Sequence, residues 1–369
     1  QRTRAERERT ASHAIRDLAT RSAATPAVLA ALPLYYRNLF TGQININEAF
    51  FVGRAAQVAE GVEVVRGQRG GGPRTVLISG DRAAGKTTLC QQIASGAGGA
   101  VHWVTAPPGG SCSPGALRAA FEGAVGARGT PMQVAARLPA GTVIVIDDLD
   151  LWWERRPGGL EAIEELLDVV ATTGDRVGFV LGGGTHAVRL IDALRPLTRV
   201  AYLQVGCAPL TARQLDQVVM ARHGSTGLRL KVGQRVGDAI GPWSRARLFD
   251  AHFDYSHGNV GYALRAWVAH VDALADEVLA VRTPAPLDWD ALDDLRPELV
   301  AVLLELLLHK QVTADKLARV TGRPIGDLRD VLAELVGVGL ATQNRRRVVQ
   351  LNPFVHVPVV DWLRRRELT

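Results

Sequence analysis

Eight consecutive residues, Gly80-Asp81-Arg82-Ala83-Ala84-Gly85-Lys86-Thr87, have the types and spacing of G-x-x-x-x-G-K-[ST], a loop that binds phosphate. Glycines let the backbone wrap closely around a polyphosphate, and successive N–H groups with a helix N-terminus supply positive potential. In that chemistry Lys86 reaches the β- and γ-phosphates and the Thr87 hydroxyl ligates Mg²⁺, while Thr88 leads into the helix. A second set lies further along. Val143-Ile144-Val145-Ile146-Asp147-Asp148 is a run of four apolar β-formers ending in two carboxylates. Asp147 is expected to hold Mg²⁺, directly or through water, and Asp148 to orient or deprotonate an attacking water.

These groups need a scaffold that brings loop and carboxylates together. Residues 75–79, 100–105, 142–147, 176–181 and 199–205 read as strands, with helical patterns between them, notably Leu160 to Val170. That alternation predicts an α/β fold with a parallel sheet covered on both faces, whose ligands bind at the C-terminal ends of the strands. From 210 to about 277 the pattern reads as all helical: an N-capped start at Leu210 to Leu215, a helix over 243–256, and another after Gly258-Asn259. Thr283-Pro284-Ala285-Pro286 marks a linker. Helices over 296–310, 313–321 and 324–336, then a short β segment around Arg347 to Leu351, read as a winged helix. Ahead of the loop, charged residues 1–22 read as a solvated helix or tail. Residues 26–52 form an apolar, aromatic lead-in, 54–66 a helix, and Gly67 to Pro73 a loop. The expected division is 1–46, 47–208, 209–282 and 283–369.

Composition bounds the rest. The 369 residues, 47% hydrophobic, leave room for two or three domains, and the net charge of +6 permits an anionic partner without demanding one. Positive charge is carried almost wholly by Arg; the lysines are Lys86, Lys231, Lys310 and Lys316. Three unclustered cysteines, Cys90, Cys112 and Cys207, suggest neither a disulfide framework nor a zinc site and suit a reducing, cytoplasmic setting. No apolar run is long enough to span a bilayer. The chain opens at Gln1 rather than Met, which leaves room for an upstream segment carrying a membrane or partner domain.

On these motifs the chain resembles the AAA+ superfamily of ATPases over about residues 47–280, and in particular its initiator and origin-recognition branch, which also pairs an ATPase with a C-terminal winged helix. The resemblance implies ATP and Mg²⁺ as cofactors, hydrolysis of ATP, an ATP-dependent homo-oligomer, and action on DNA or a DNA-bound partner. Phe51-Val52-Gly53-Arg54 is similar to the family's segment near adenine. Asp192 to Val200 is similar to its arginine-finger region, with Arg195 or Arg199 completing a neighbour's site, and Pro209 to Leu215 to the start of its lid. Three departures stand out. Asp148 replaces a frequent Glu, and the aspartate pair also resembles signalling ATPases of the STAND class, which implies slow, switch-like hydrolysis. The polar sensor after Leu181-Gly182-Gly183-Gly184 falls on Thr185. Gly261 stands where the family often has Arg, with Arg265 one helical turn on, either a substitute or a surface residue.

The third winged-helix helix carries Asp327, Asp330 and Glu334 against Arg323 and Arg329, a poor match to phosphate. The basic runs Arg345-Arg346-Arg347 and Arg364-Arg365-Arg366 suit DNA better; the alternative is a winged helix that binds protein or inhibits its own ATPase. Trp152 and Trp153 read as core or interface residues ahead of base-stacking ones.

Overall fold

The computed structural model describes residues 4–41, 50–68 and 72–368. The 46/47 boundary and residues 69–71 of the expected loop lie outside the described residues. Helices α1 (Arg4–Arg21), α2 (Pro26–Ala31), α3 (Leu34–Thr41) and α4 (Ala55–Val65) come first. The alternating region runs β1 (Thr75–Gly80), α5 (Lys86–Gly96), β2 (Val101–Trp103), α6 (Pro114–Val125), α7 (Pro131–Arg137), β3 (Val143–Ile146), α8 (Glu161–Thr173), β4 (Gly178–Gly184), α9 (Thr185–Leu194) and β5 (Leu203–Gly206).

The five strands form one parallel sheet in the order β2-β3-β4-β1-β5, the α/β class the sequence predicts. Side chains alternate between its faces. Leu77, Ile144, Ile146, Phe179 and Leu181 pack against α6, α7 and α8, while Val76, Ile78, Val143, Val145 and Val180 pack against α4 and α5. Helices on both faces bury every residue of β3, hence its unbroken apolar run. The order also sets the site: β4 lies between the strand that leads into the phosphate loop and the strand that ends in the carboxylates.

The segment after β5 is not all helical. Helices α10 (Ala212–Gly224), α11 (Pro242–Ser256) and α12 (Val260–Ala269) are joined by β6 (Arg229–Val232), β7 (Arg235–Val236), β8 (Val271–Ala275) and β9 (Val278–Val281), a sheet in the order β7-β6-β9-β8. Leu230 and Val232 face the lid core while Arg229 and Lys231 alternate with them, a period of two rather than 3.6. Asp276 and Glu277, at φ 49° and 60°, close the β8–β9 hairpin with two left-handed residues. No glycine marks that turn, so it does not read as one.

The last region is a winged helix: α13 (Pro297–His309), α14 (Ala314–Thr321), α15 (Ile325–Gly337), then the antiparallel pair β10 (Ala341–Gln343) and β11 (Val349–Leu351), closed by α16 (His356–Arg365). Helix α1 is no solvated tail. Its Ile15, Leu18 and Ala19 are buried in the winged-helix core, and Arg16 donates to the Gly337 carbonyl at 2.9 Å. Leu32, Tyr36 and Phe40 of the lead-in enter the lid core instead.

The winged helix sits directly on the five-stranded α/β core. Buried Glu154, beyond β3, accepts from Arg319 of α14 at 2.6 Å and from Arg156 at 2.7 Å. Burial works against its charge, but these cations and Lys316 outweigh it and hold its pKa down to about 2. Trp153 packs on the His309 ring at 4.6 Å, and both Trp152 and Trp153 are fully buried core residues.

Candidate nucleotide site

The phosphate loop joins β1 to α5. Gly85 caps α5 at φ +94°, a conformation that favours glycine, and Ala83 also has positive φ, so loop N–H groups turn inward. Lys86 is nearly buried, and its Nζ donates to the Gly80 and Asp81 carbonyls at 3.0 Å each, which holds the ammonium inside the loop.

Thr87 Oγ1 donates to Asp147 Oδ2 at 2.5 Å, so the two expected Mg²⁺ ligands are adjacent. A hydroxyl and a carboxylate are hard oxygen donors suited to that ion. Burial, then the neighbouring Asp148 charge, push the Asp147 carboxyl up. A cation there would reverse this.

The glycines of β4 explain why no polar side chain stands at the end of that strand ahead of Thr185. A side chain at Gly182 would collide with Asp147 Oδ1, 2.5 Å from the Cβ position, and one at Gly184 with Asp150. Gly184 N–H donates to Asp150 Oδ2 at 2.9 Å. The strand between loop and carboxylates is stripped of side chains to admit two carboxylates, and Thr185, the sensor candidate, follows at the start of α9 and lines the cavity.

That cavity, about 440 Å³, takes in the loop from Asp81 to Thr88. Its lining combines polar Asp148, Thr185 and Arg265 with apolar Phe50, Phe51, Val52 and Leu264, a mixture that suits a polyphosphate joined to a flat ring. Arg54 is buried and donates to the Ala84 and Ala208 carbonyls at 3.1 and 2.8 Å; it braces the loop against the segment that follows β5. Gly53, at φ +81°, makes the turn that delivers it.

The absence of an arginine at Gly261 has a physical cause. Gly261 N–H donates to the Ala83 carbonyl at 2.9 Å, and a Cβ there would sit 2.7 Å from Ala83 Cβ. Helix α12 touches the loop too closely for any side chain. Arg265, one turn on, lines the cavity with Nη1 donating to the Gly261 carbonyl at 3.0 Å, and burial pushes its pKa down.

Two expected residues lie elsewhere. Arg195 pairs with Glu164 and Arg199 is exposed; neither lines the cavity. The winged helix supplies residues the sequence reading missed. Leu306, Leu307, Lys310, Leu351, His356 and Val360 line the cavity, and Lys310 makes an ion pair with Asp148. Arg364 is not a free basic residue: it donates to Asp81 of the loop at 2.6 Å. Burial opposes the Asp81 charge, but Arg364 overrides it and holds the pKa below the usual range. Arg366 pairs with Asp293 at 2.7 Å, which leaves Arg345, Arg346 and Arg347 exposed at the turn of the wing.

No family model matches the chain, and no curated protein matches it. Solved structures do. The Aeropyrum pernix ORC2 protein in its ADPNP–ADP complexes is 14% identical over 90% of this chain and 98% of that one, with a TM-score of 0.43. The Aeropyrum pernix ORC1 protein in complex with DNA is 16% identical over 89% and 98%, at 0.44. A Thermotoga maritima RuvB variant is 18% identical over 84% and 95%, at 0.40. The chain is similar to these along nearly the whole of each, at low sequence identity. Among the described residues no helix is long and apolar enough to cross a membrane.

Proposed function

We propose that the chain is an AAA+-like ATPase that binds ATP·Mg²⁺ between core, lid and winged helix and hydrolyses it. The adjacency of Thr87 and Asp147 at the mouth of a loop that encloses Lys86 carries the reading. Lys86 and the loop N–H groups hold the phosphates, Thr87 and Asp147 are placed to hold the metal, and Asp148 is placed to orient water. When bound, the metal neutralises charge on the phosphates. Measured phosphate release tests this: wild type turns over ATP, Lys86→Ala and Asp148→Asn do not, and equal rates in all three contradict it.

A second feature refines the reading. Three contacts tie the winged helix to the phosphate end: Lys310 to Asp148, Arg364 to Asp81, and Arg82 to the Leu351 carbonyl. They favour a switch in which the winged helix covers the site and restrains Asp148. The exposed Arg345 to Arg347 turn remains free for an anionic partner, and DNA is the partner we assign to it. Affinity for duplex DNA that falls steeply with salt, and again on replacing the three arginines with alanine, supports this; unchanged binding rejects it. Arg195 and Arg199 serve a neighbouring copy's site or are surface residues; specific activity that falls on dilution assigns them to the neighbour.

A further inference from the structure

Arg82 is the third residue of the phosphate loop; its place in the motif gives its side chain no role toward the nucleotide, and so far it has served only as a contact to the winged helix. Its carbonyl accepts from Asn259 Nδ2 at 2.8 Å, which ties the loop at that residue to the cap of α12. Its guanidinium lines the cavity and donates to Gln350 Oε1 at 2.7 Å and to the Leu351 carbonyl at 3.2 Å. Both acceptors are neutral, and among the described residues Arg82 makes no ion pair. The neighbouring charges act in opposite senses: Arg265 disfavours its charge, while Asp148 and Asp150 favour it. Burial, then Arg265, hold its pKa down to about 10.

The other cations of the cavity are committed. Arg54 donates to the Ala84 and Ala208 carbonyls, Arg222 to those of Leu39, Phe50 and Val218, and Lys310 pairs with Asp148. Arg82 and Arg265 line the same cavity as Lys86 and likewise donate to neutral acceptors, Arg265 to the Gly261 carbonyl at 3.0 Å. Two guanidinium groups that line one cavity with only neutral acceptors are stabilised by a multivalent anion that takes the place of those acceptors.

We propose that Arg82 is a γ-phosphate ligand supplied in cis by the loop itself, and that it sets the preference of this site for ATP over ADP. The assignment rests on the nucleotide reading above. Because the same guanidinium is held by Gln350 and Leu351, its move to a γ-phosphate loosens the winged helix, which couples the nucleotide's third phosphate to the cover.

Calorimetric titration with ADP and with a non-hydrolysable ATP analogue, both with Mg²⁺, tests it on wild type, Arg82→Ala and Gln350→Ala. Arg82→Ala is expected to weaken the analogue about ten-fold or more, the scale of a charge-assisted hydrogen bond, and ADP by less than about two-fold. Gln350→Ala removes only an acceptor and is expected to leave the analogue at least as tight as in wild type. Equal weakening of both nucleotides by Arg82→Ala, no weakening of either, or a Gln350→Ala variant that reproduces the Arg82→Ala pattern overturns the assignment alone. A wild-type chain that binds neither nucleotide overturns the site reading and the assignment with it.

Discussion

Lys310, at the C-terminus of α13, makes an ion pair with Asp148, which follows β3, and both residues have positive φ, 59° and 61°. Positive φ is uncommon for residues with side chains, and a locally strained backbone on both sides of one contact is a feature of a switch more than of a scaffold. The pair joins the winged helix to the carboxylate assigned to water. It follows that removing Lys310 frees Asp148. A partly exposed pair is worth about 1 kcal/mol, so Lys310→Ala should raise steady-state ATP turnover roughly five-fold and Lys310→Arg should leave it near wild type. Turnover that falls in Lys310→Ala would reverse the role.

The metal position makes a separate demand. Asp147→Asn keeps the shape and removes the charge. It should reduce Mg²⁺-dependent turnover by at least about 10²-fold, since metal and carboxylate act on the charge that develops in the transition state. Nucleotide should still bind, because Lys86 and the loop N–H groups are intact. Fluorescent-nucleotide titration with and without chelator separates the two effects.

Gly261 is a steric test. Its Cβ position is 2.8 Å from the Ala83 carbonyl oxygen and 2.7 Å from Ala83 Cβ. Backbone cannot step aside cheaply, so Gly261→Ala should cost about 1–3 kcal/mol where α12 meets the loop. The expected result is a lower thermal midpoint, with nucleotide stabilising the variant less than wild type.

Acid and base should loosen the winged helix by different routes. His257, at the end of α11, pairs with Asp361 of α16 at 2.5 Å, and Asp361 also faces Arg364. The hydrogen bond to Asp361 raises the His257 pKa against the cost of burial. That contribution is fully present below the ordinary histidine pKa and is lost as pH rises through the raised one. Glu154 is the opposite case: its contribution is present above the ordinary carboxylate pKa and disappears as pH falls toward about 2. Limited proteolysis across pH should find the winged helix best protected in mildly acidic solution. His257→Ala should remove the loss of protection on the alkaline side, and a profile unchanged in that variant would exclude His257.

The strands of the sheet, the phosphate loop with Thr87, the carboxylates Asp147 and Asp148 after β3 and the winged helix are legible because each is local: a short run whose periodicity or motif states its own geometry. The lid sheet is not legible, since its hairpin turns on Asp276 and Glu277 and β6 is only four residues long. The contribution of the winged helix to the site depends on pairs such as Lys310 with Asp148 and Arg364 with Asp81, which no local pattern encodes. One signal was available. In a chain whose cations are nearly all arginine, Lys86 and Lys310 line the cavity and Lys316 is buried beside Glu154. Asp150, the third aspartate of Asp147-Asp148-Leu149-Asp150, was likewise visible as a carboxylate but not as the partner of Gly184.

Equilibrium binding of ATP·Mg²⁺ to wild type and to Lys86→Ala tests the central claim most directly. The account predicts one nucleotide per chain for wild type and an affinity at least about 10²-fold weaker for Lys86→Ala, which loses a buried charge-assisted contact. A wild-type chain that binds no nucleotide, or a Lys86→Ala variant that binds as tightly, would contradict it.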